Sequence, residues 1–222
     1  MSVPAANVVL HPLVQTKLSI LRDVRTSSKD FRQTVHDISV LLGYEASRQL
    51  QLLSYQGQTP VSQFTGVTVQ PRVGLVPILR AGAGMTDALL SLHPEASVHH
   101  LGLFREKISL QAVEYYNKLG EQTRPDIAFL LDPMVATGHT ALSAVGMLIE
   151  WGLPISSIKL VAIIVAEEGF KALRKEYPDL EIWCAGIDPQ LVRHNDEEGK
   201  IAPGLGDAGD RLFNSHPPNA PY

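Results

Sequence analysis

The sequence predicts an α/β protein: a central, mostly parallel sheet flanked by helices, with an N-terminal helical segment, a small β-hairpin and an irregular C-terminal loop. Three observations carry this reading. "VGLVPIL" (73–79), "VHHLGLF" (98–104), "IAFLLD" (127–132), "IKLVAIIVA" (158–166) and "EIWCAGI" (181–187) are short, almost continuously apolar runs. That is the pattern of strands covered on both faces. Helix-like segments at 85–92, 140–151 and 168–177 lie between several of them, as crossovers in a parallel sheet require. The 222 residues are 45% hydrophobic, enough for one sizeable core, so a single domain over 1–222 is expected.

The elements follow in order. Between residues 28 and 53, Phe31, Val35, Ile38, Leu41, Leu42, Leu50 and Leu53 recur at helical spacing. Ser27 or Ser28 can serve as N-cap, with Asp30 in the first turn. "VSQFTGVTVQP" (61–71) alternates and carries turn residues, which predicts a short hairpin. Residues 93–125 interrupt the strand rhythm with a polar loop where a lid is expected. The end, "HNDEEGKIAPGLGDAGDRLFNS" (194–215), is rich in Gly and Asp and reads as no regular element.

Composition narrows the partners. The net charge is −4, without a basic run, so a nucleic-acid footprint is not expected. Cys184, the only cysteine, lies within an apolar run and reads as a buried small hydrophobe. The start of the chain has neither a basic n-region nor a long apolar core, and no apolar run approaches the ~20 residues of a membrane helix. A soluble, reducing, cytoplasmic setting without a membrane is expected.

Ligands of such a sheet bind outside the carboxyl ends of its strands. Three unusual segments fall there or in the tail: "RAGAGM" (80–85), "DPMVATGHTA" (132–141) and "PGLGDAGD" (203–210). In the second, a strand ends at Asp132 and a helix begins near Thr140. Thr137, Gly138, His139 and Thr140 would then present backbone N–H groups and two hydroxyls at a helix N-terminus, a ready anion site. By itself the stretch serves equally as a capped turn. It is neither a Walker A loop nor a G-x-G-x-x-G fingerprint. His99 and His100 lack zinc-ligand spacing, and there is no Ser-His-Asp or Cys-His frame for a protein nucleophile.

Taken together, the segments resemble the type I phosphoribosyltransferases, and within them the uracil phosphoribosyltransferase family. The similarity rests on "HPLVQTKLSILRD" (11–23), "VPILRAGAGM" (76–85), "FRE" (104–106) with "YYNKL" (115–119), "DPMVATGHT" (132–140) and "IAPGLGDAGDRLF" (201–213), in the expected order. It implies transfer of a phosphoribosyl group from 5-phospho-α-D-ribose 1-diphosphate (PRPP) to uracil, giving UMP and diphosphate. Asp132 would hold the ribose hydroxyls, and Pro133, Met134, Val135, Ala136, Thr137, Gly138, His139 and Thr140 would form the PRPP loop. Arg80 would meet the pyrophosphate and Arg105 would close over it. In the tail, Ile201, Gly206 and Ala208 would read uracil through main-chain groups, with Asp207 on the PRPP or metal side. On this reading Arg105, Asp132 and Asp207 are the catalytic set. Mg²⁺ would be held mainly through PRPP rather than by protein side chains.

The resemblance further implies a homodimer or homotetramer and, in some members, GTP as an effector. The chain departs from the family pattern in places. "TGHT" stands where T-G-G-S is usual, placing His139 in the cradle. "EEG" (167–169) replaces Pro-Glu-Gly, Lys200 stands in place of a tyrosine, and "REKISLQAV" (105–113) lacks a Glu-Pro pair. A non-catalytic protein sensing UMP or PRPP on the same fold is the other class of function. Such a protein would be expected to lose Arg105, Asp132 or the "GDAGD" tail, and all are present.

Overall fold

The structure is a computed structural model describing residues 6–105, 112–192 and 199–215, apart from the side chains of Phe104, Arg105, Ala112, Val113 and Glu121. The chain opens with β1 (Asn7–Val8), α1 (Pro12–Arg22) and α2 (Ser28–Ala46), followed by β2 (Leu52–Gln58) and β3 (Gln63–Val69). Next come β4 (Val73–Leu79), α3 (Ala83–Leu92), β5 (Ser97–Val98), β6 (Leu101–Arg105) and β7 (Ala112–Asn117). The second half contains β8 (Ile127–Leu131), β9 (Met134–Val135), α4 (His139–Glu150), β10 (Ile158–Ala166), α5 (Glu167–Glu176) and β11 (Glu181–Asp188). It ends with β12 (Gln190–Val192), β13 (Lys200–Ala202) and α6 (Ala208–Phe213).

The central sheet runs β1-β11-β10-β8-β4-β6-β7, with β5 on β4 and β9 on β10. Its pairings are parallel except β6 with β7. All nine residues of β10 are buried, which explains its unbroken apolar sequence. Leu160 and Ala162 enter the core beneath α4 and α5, whereas Val161 and Ile163 enter the core shared by α1, α2, α3 and α6. From β4 the chain crosses through α3 to β6. From β8, on the other side of β4, it moves outward through α4 and α5 to β10 and β11. The connections therefore diverge between β4 and β8, the place where an open α/β sheet forms a crevice at its carboxyl edge.

Several sequence expectations need correction. The helix expected over 28–53 stops at Ala46, whose carbonyl accepts a hydrogen bond from the buried Lys159 Nζ (2.9 Å). A cation on the last carbonyls ends a helix favourably. Leu53 lies exposed in β2, so the hairpin begins well before residue 61 and pairs 52–58 with 63–69. The start behaves as expected, with Ser27 as N-cap accepting from the Asp30 amide (3.1 Å). The run over 98–104 divides into the end of β5 and β6, and the polar loop supplies β7; residues 106–111 lie outside the described residues. The tail is more regular than its composition suggests: it forms β13, paired with β12, and the short helix α6. No helix among the described residues is long and apolar enough to cross a membrane.

Candidate active site

The loops after β4 and β8 both emerge at the diverging crevice. Pro77 pairs with Leu131, so Arg80 and Asp132 leave neighbouring strand ends. Gly82 lets the first loop fold back tightly: a Cβ there would lie 2.3 Å from the Leu131 carbonyl oxygen and 2.6 Å from Ile78 backbone atoms. Asp132, Met134, Val135, Ala136, Thr137, Gly138, Thr140 and Ala141 line a cleft of about 180 Å³, together with Gly199. Sequence reasoning missed Gly199, for which the only local signal is its place just before the β13 segment.

The cradle has a specific backbone. Gly138 is the N-cap of α4 at φ 88°, left-handed geometry that favours glycine. A Cβ on it would sit 3.0 Å from the carbonyl oxygen of Gly169. The approach is mutual, since a Cβ on Gly169 would lie 2.4 Å from the Ala136 carbonyl oxygen. The glycine of "EEG" thus supports the loop from below, even though Glu167 departs from the family pattern. Glu167 itself is at the surface, paired with Lys171 (2.7 Å). His139 opens α4 with its side chain exposed, and its Nδ1 lies 3.0 Å from Thr137 Oγ1. The imidazole is therefore turned to the surface, while the residue's amide occupies the first turn of the helix.

Asp132 is half-buried. Desolvation pushes its carboxyl up to about 7, opposed by one hydrogen bond from the Met134 amide (3.3 Å). Arg80 is exposed and donates to Asp210 Oδ1 (3.0 Å) and Ser215 Oγ (3.1 Å). This contact ties the loop after β4 to the C-terminal segment. Asp207 caps α6, accepting from the Asp210 amide (2.9 Å), so part of its function is structural. Gly206 and Asp207 are exposed, whereas the side chains of Ile201 and Ala208 are buried. Arg105 ends β6, with its side chain outside the described part. Cys184 is buried and its thiol is pushed up to about 12, which suits packing rather than nucleophilic chemistry.

A family model described as uracil phosphoribosyltransferase matches residues 8–215. The chain belongs to the uracil phosphoribosyltransferase family. It is 50% identical over 203 residues to a uracil phosphoribosyltransferase of Roseiflexus sp. (strain RS-1), covering 91% of this chain and 95% of the relative. It is 48% identical over 211 residues to one of Streptococcus suis (strain 05ZYH33), covering 93% and 96%. A solved Aquifex aeolicus protein is similar at TM-score 0.85 and 31% identity, over 94% of this chain and 98% of that one. APRTase from Giardia lamblia, solved in complex with 9-deazaadenine, shares the fold alone. It aligns at TM-score 0.50 and 14% identity over 70% and 80% of the two chains. The mostly parallel, helix-flanked sheet is the type I phosphoribosyltransferase fold.

Proposed function

We propose that this enzyme converts uracil and PRPP to UMP and diphosphate, the reaction of pyrimidine salvage. The observation that carries the proposal is the crevice between β4 and β8. There an acid at a strand end, a glycine-capped helix N-terminus and the Arg80 loop lie beside the "PGLGDAGD" segment. Asp132 accepts hydrogen bonds from the ribose hydroxyls. Amides and hydroxyls of residues 136–140 hold the 5′-phosphate. Main-chain groups of Ile201, Gly206 and Ala208 match the alternating donors and acceptors along one edge of uracil.

In the reaction, uracil N1 forms the bond to ribose C1′ as the bond to pyrophosphate breaks, and the N1 proton passes to solvent. Positive charge grows on the ribose and negative charge on the leaving group. Arg80 and Arg105 stabilise the latter electrostatically, without a covalent enzyme intermediate. Among the described residues there is no group of three or more His, Cys, Asp or Glu side chains suited to a metal. Asp132 and Asp207 are the hard oxygen donors of the site, which fits a Mg²⁺ carried mainly by PRPP oxygens. When bound, the ion would neutralise charge on the leaving group.

Self-association belongs to the same reading. Among the described residues, the hairpin of β2 and β3 pairs only with itself, yet it exposes Leu52, Leu53, Tyr55, Phe64, Val67 and Val69. A two-stranded hairpin with apolar faces calls for a covering surface, here assigned to a second copy of the chain. GTP is the effector proposed from family membership, and the cytoplasm is the proposed location. The decisive test is release of pyrophosphate from PRPP and Mg²⁺, with and without GTP. Release on addition of uracil, and not of cytosine or hypoxanthine, is expected; no uracil-dependent release would defeat the proposal.

A further inference from the structure

Among the described residues, Asp132 and Asp188 stand at the carboxyl ends of strands of the central sheet, and of the two Asp132 lines the PRPP cleft. Asp188 ends β11, with 4% of its side chain exposed. It receives both ends of the Arg22 guanidinium: Nη1 donates to Oδ2 (2.8 Å) and Nη2 to Oδ1 (2.6 Å). Both partners then continue to one residue of the tail. Arg22 Nη1 donates to the Gly204 carbonyl (2.7 Å), and the Gly204 amide donates to Asp188 Oδ2 (2.9 Å). A planar, bidentate guanidinium restricts orientation in a way a point charge does not.

A second arginine crosses in the opposite direction. Arg211 of α6 donates to the carbonyls of Leu21 and Asp23 at the C-terminal end of α1, and to Leu205 (2.6 Å). Its guanidinium lies 4.2 Å from the centre of the Phe31 ring. Thus α1 reaches into the tail through Arg22, and the tail reaches back through Arg211. The residues clasped in this way, Gly204 and Leu205, immediately precede Gly206.

We propose that Arg22 and Asp188 are positioning residues for recognition of the base, holding the 204–208 backbone in the conformation that meets uracil. This rests on the assignment of that loop to uracil made above. A loop whose donors and acceptors are held in place before binding loses less entropy on meeting its ligand. The contribution therefore falls on uracil affinity more than on the cleft of residues 132–141, which is built from other elements.

Two measurements on the full chain test the clasp. In steady-state kinetics, Arg22→Met is expected to raise KM for uracil at least ~10-fold, with KM for PRPP within ~3-fold. Arg22→Lys should recover part of the loss, because one cation can still reach either acceptor. Equal rises in both KM values, or no rise for uracil, would overturn the proposal. Hydrogen exchange needs no turnover: Arg22→Met or, should it fold poorly, Asp188→Asn should lose protection over 204–208 while α4 keeps its own. Unchanged exchange over 204–208 also overturns it. A parent enzyme without uracil-dependent turnover would defeat the functional assignment instead, so the two failures are distinguishable.

Discussion

The Asp132 carboxyl sits at about 7 in the folded chain against 3.8 when free, because the crevice removes water and returns only one hydrogen bond. Between those values the folded chain keeps a proton that the unfolded chain has released. Stability therefore falls as pH rises through that window, and the contribution is lost above about 7. Asp132→Asn should flatten this dependence and raise Tm at pH 8 by several degrees, at ~2–4 °C per kcal/mol for a chain of this size. It should also raise KM for PRPP at least ~10-fold, since a carboxylate accepting from two hydroxyls is lost. Melting curves across pH check the first point, and a variant no more stable than the parent at pH 8 would refute it. For His139→Gly the expectation is the reverse of a catalytic lesion. Its ring faces the surface, so KM for PRPP should stay within ~3-fold. A rise beyond ~10-fold in the same assay would place the imidazole on substrate.

At the level of elements, the first turns of α4 and α5 are packed backbone to backbone through Gly138 and Gly169. Alanine in a helix is ordinarily better than glycine by ~1 kcal/mol. Here Gly169→Ala should instead lower stability by ~1–3 kcal/mol, because its Cβ would strike the Ala136 carbonyl. Displacing the cradle should raise KM for PRPP at least ~10-fold and leave KM for uracil within ~3-fold. Thermal melts and separate substrate titrations check both parts. Unchanged melting would show that the two turns can part without cost. Periodicity identified the helices and core strands of this layer because both faces of the sheet are covered. It failed at the end of α2, where Leu50 and Leu53 kept helical spacing while Lys159, distant in sequence, capped Ala46.

On the scale of the whole molecule, the hairpin of β2 and β3 pairs with no other strand among the described residues. One face presents Leu52, Val67 and Val69; the other presents Leu53 and the edge-to-face pair Tyr55 and Phe64. Light scattering after gel filtration should report a multiple of the chain mass. Val67→Lys, on a residue 57% exposed, should weaken association at least ~10-fold without lowering the melting temperature of the dissociated chain. A parent that runs as a monomer would remove self-association from the functional proposal.

Local chemistry was readable from the chain alone: strands covered on both faces must be apolar throughout, and a glycine-rich turn before a helix exposes amides. Those rules located β4, β8, β10, β11 and the loop from Asp132 to Thr140. Tertiary structure alone decided which of these meet. The divergence between β4 and β8 brings residues 80 and 132 together, Gly169 underpins Gly138, and Arg22 reaches Gly204 across 182 positions of chain. Such contacts have no sequence period, because they depend on strand order and on the closeness of two backbones. Asp188 shows the difference most clearly. Like Asp132 it stands at the carboxyl end of a strand of the central sheet, but its guanidinium partner makes it an anchor for the tail rather than part of the cleft.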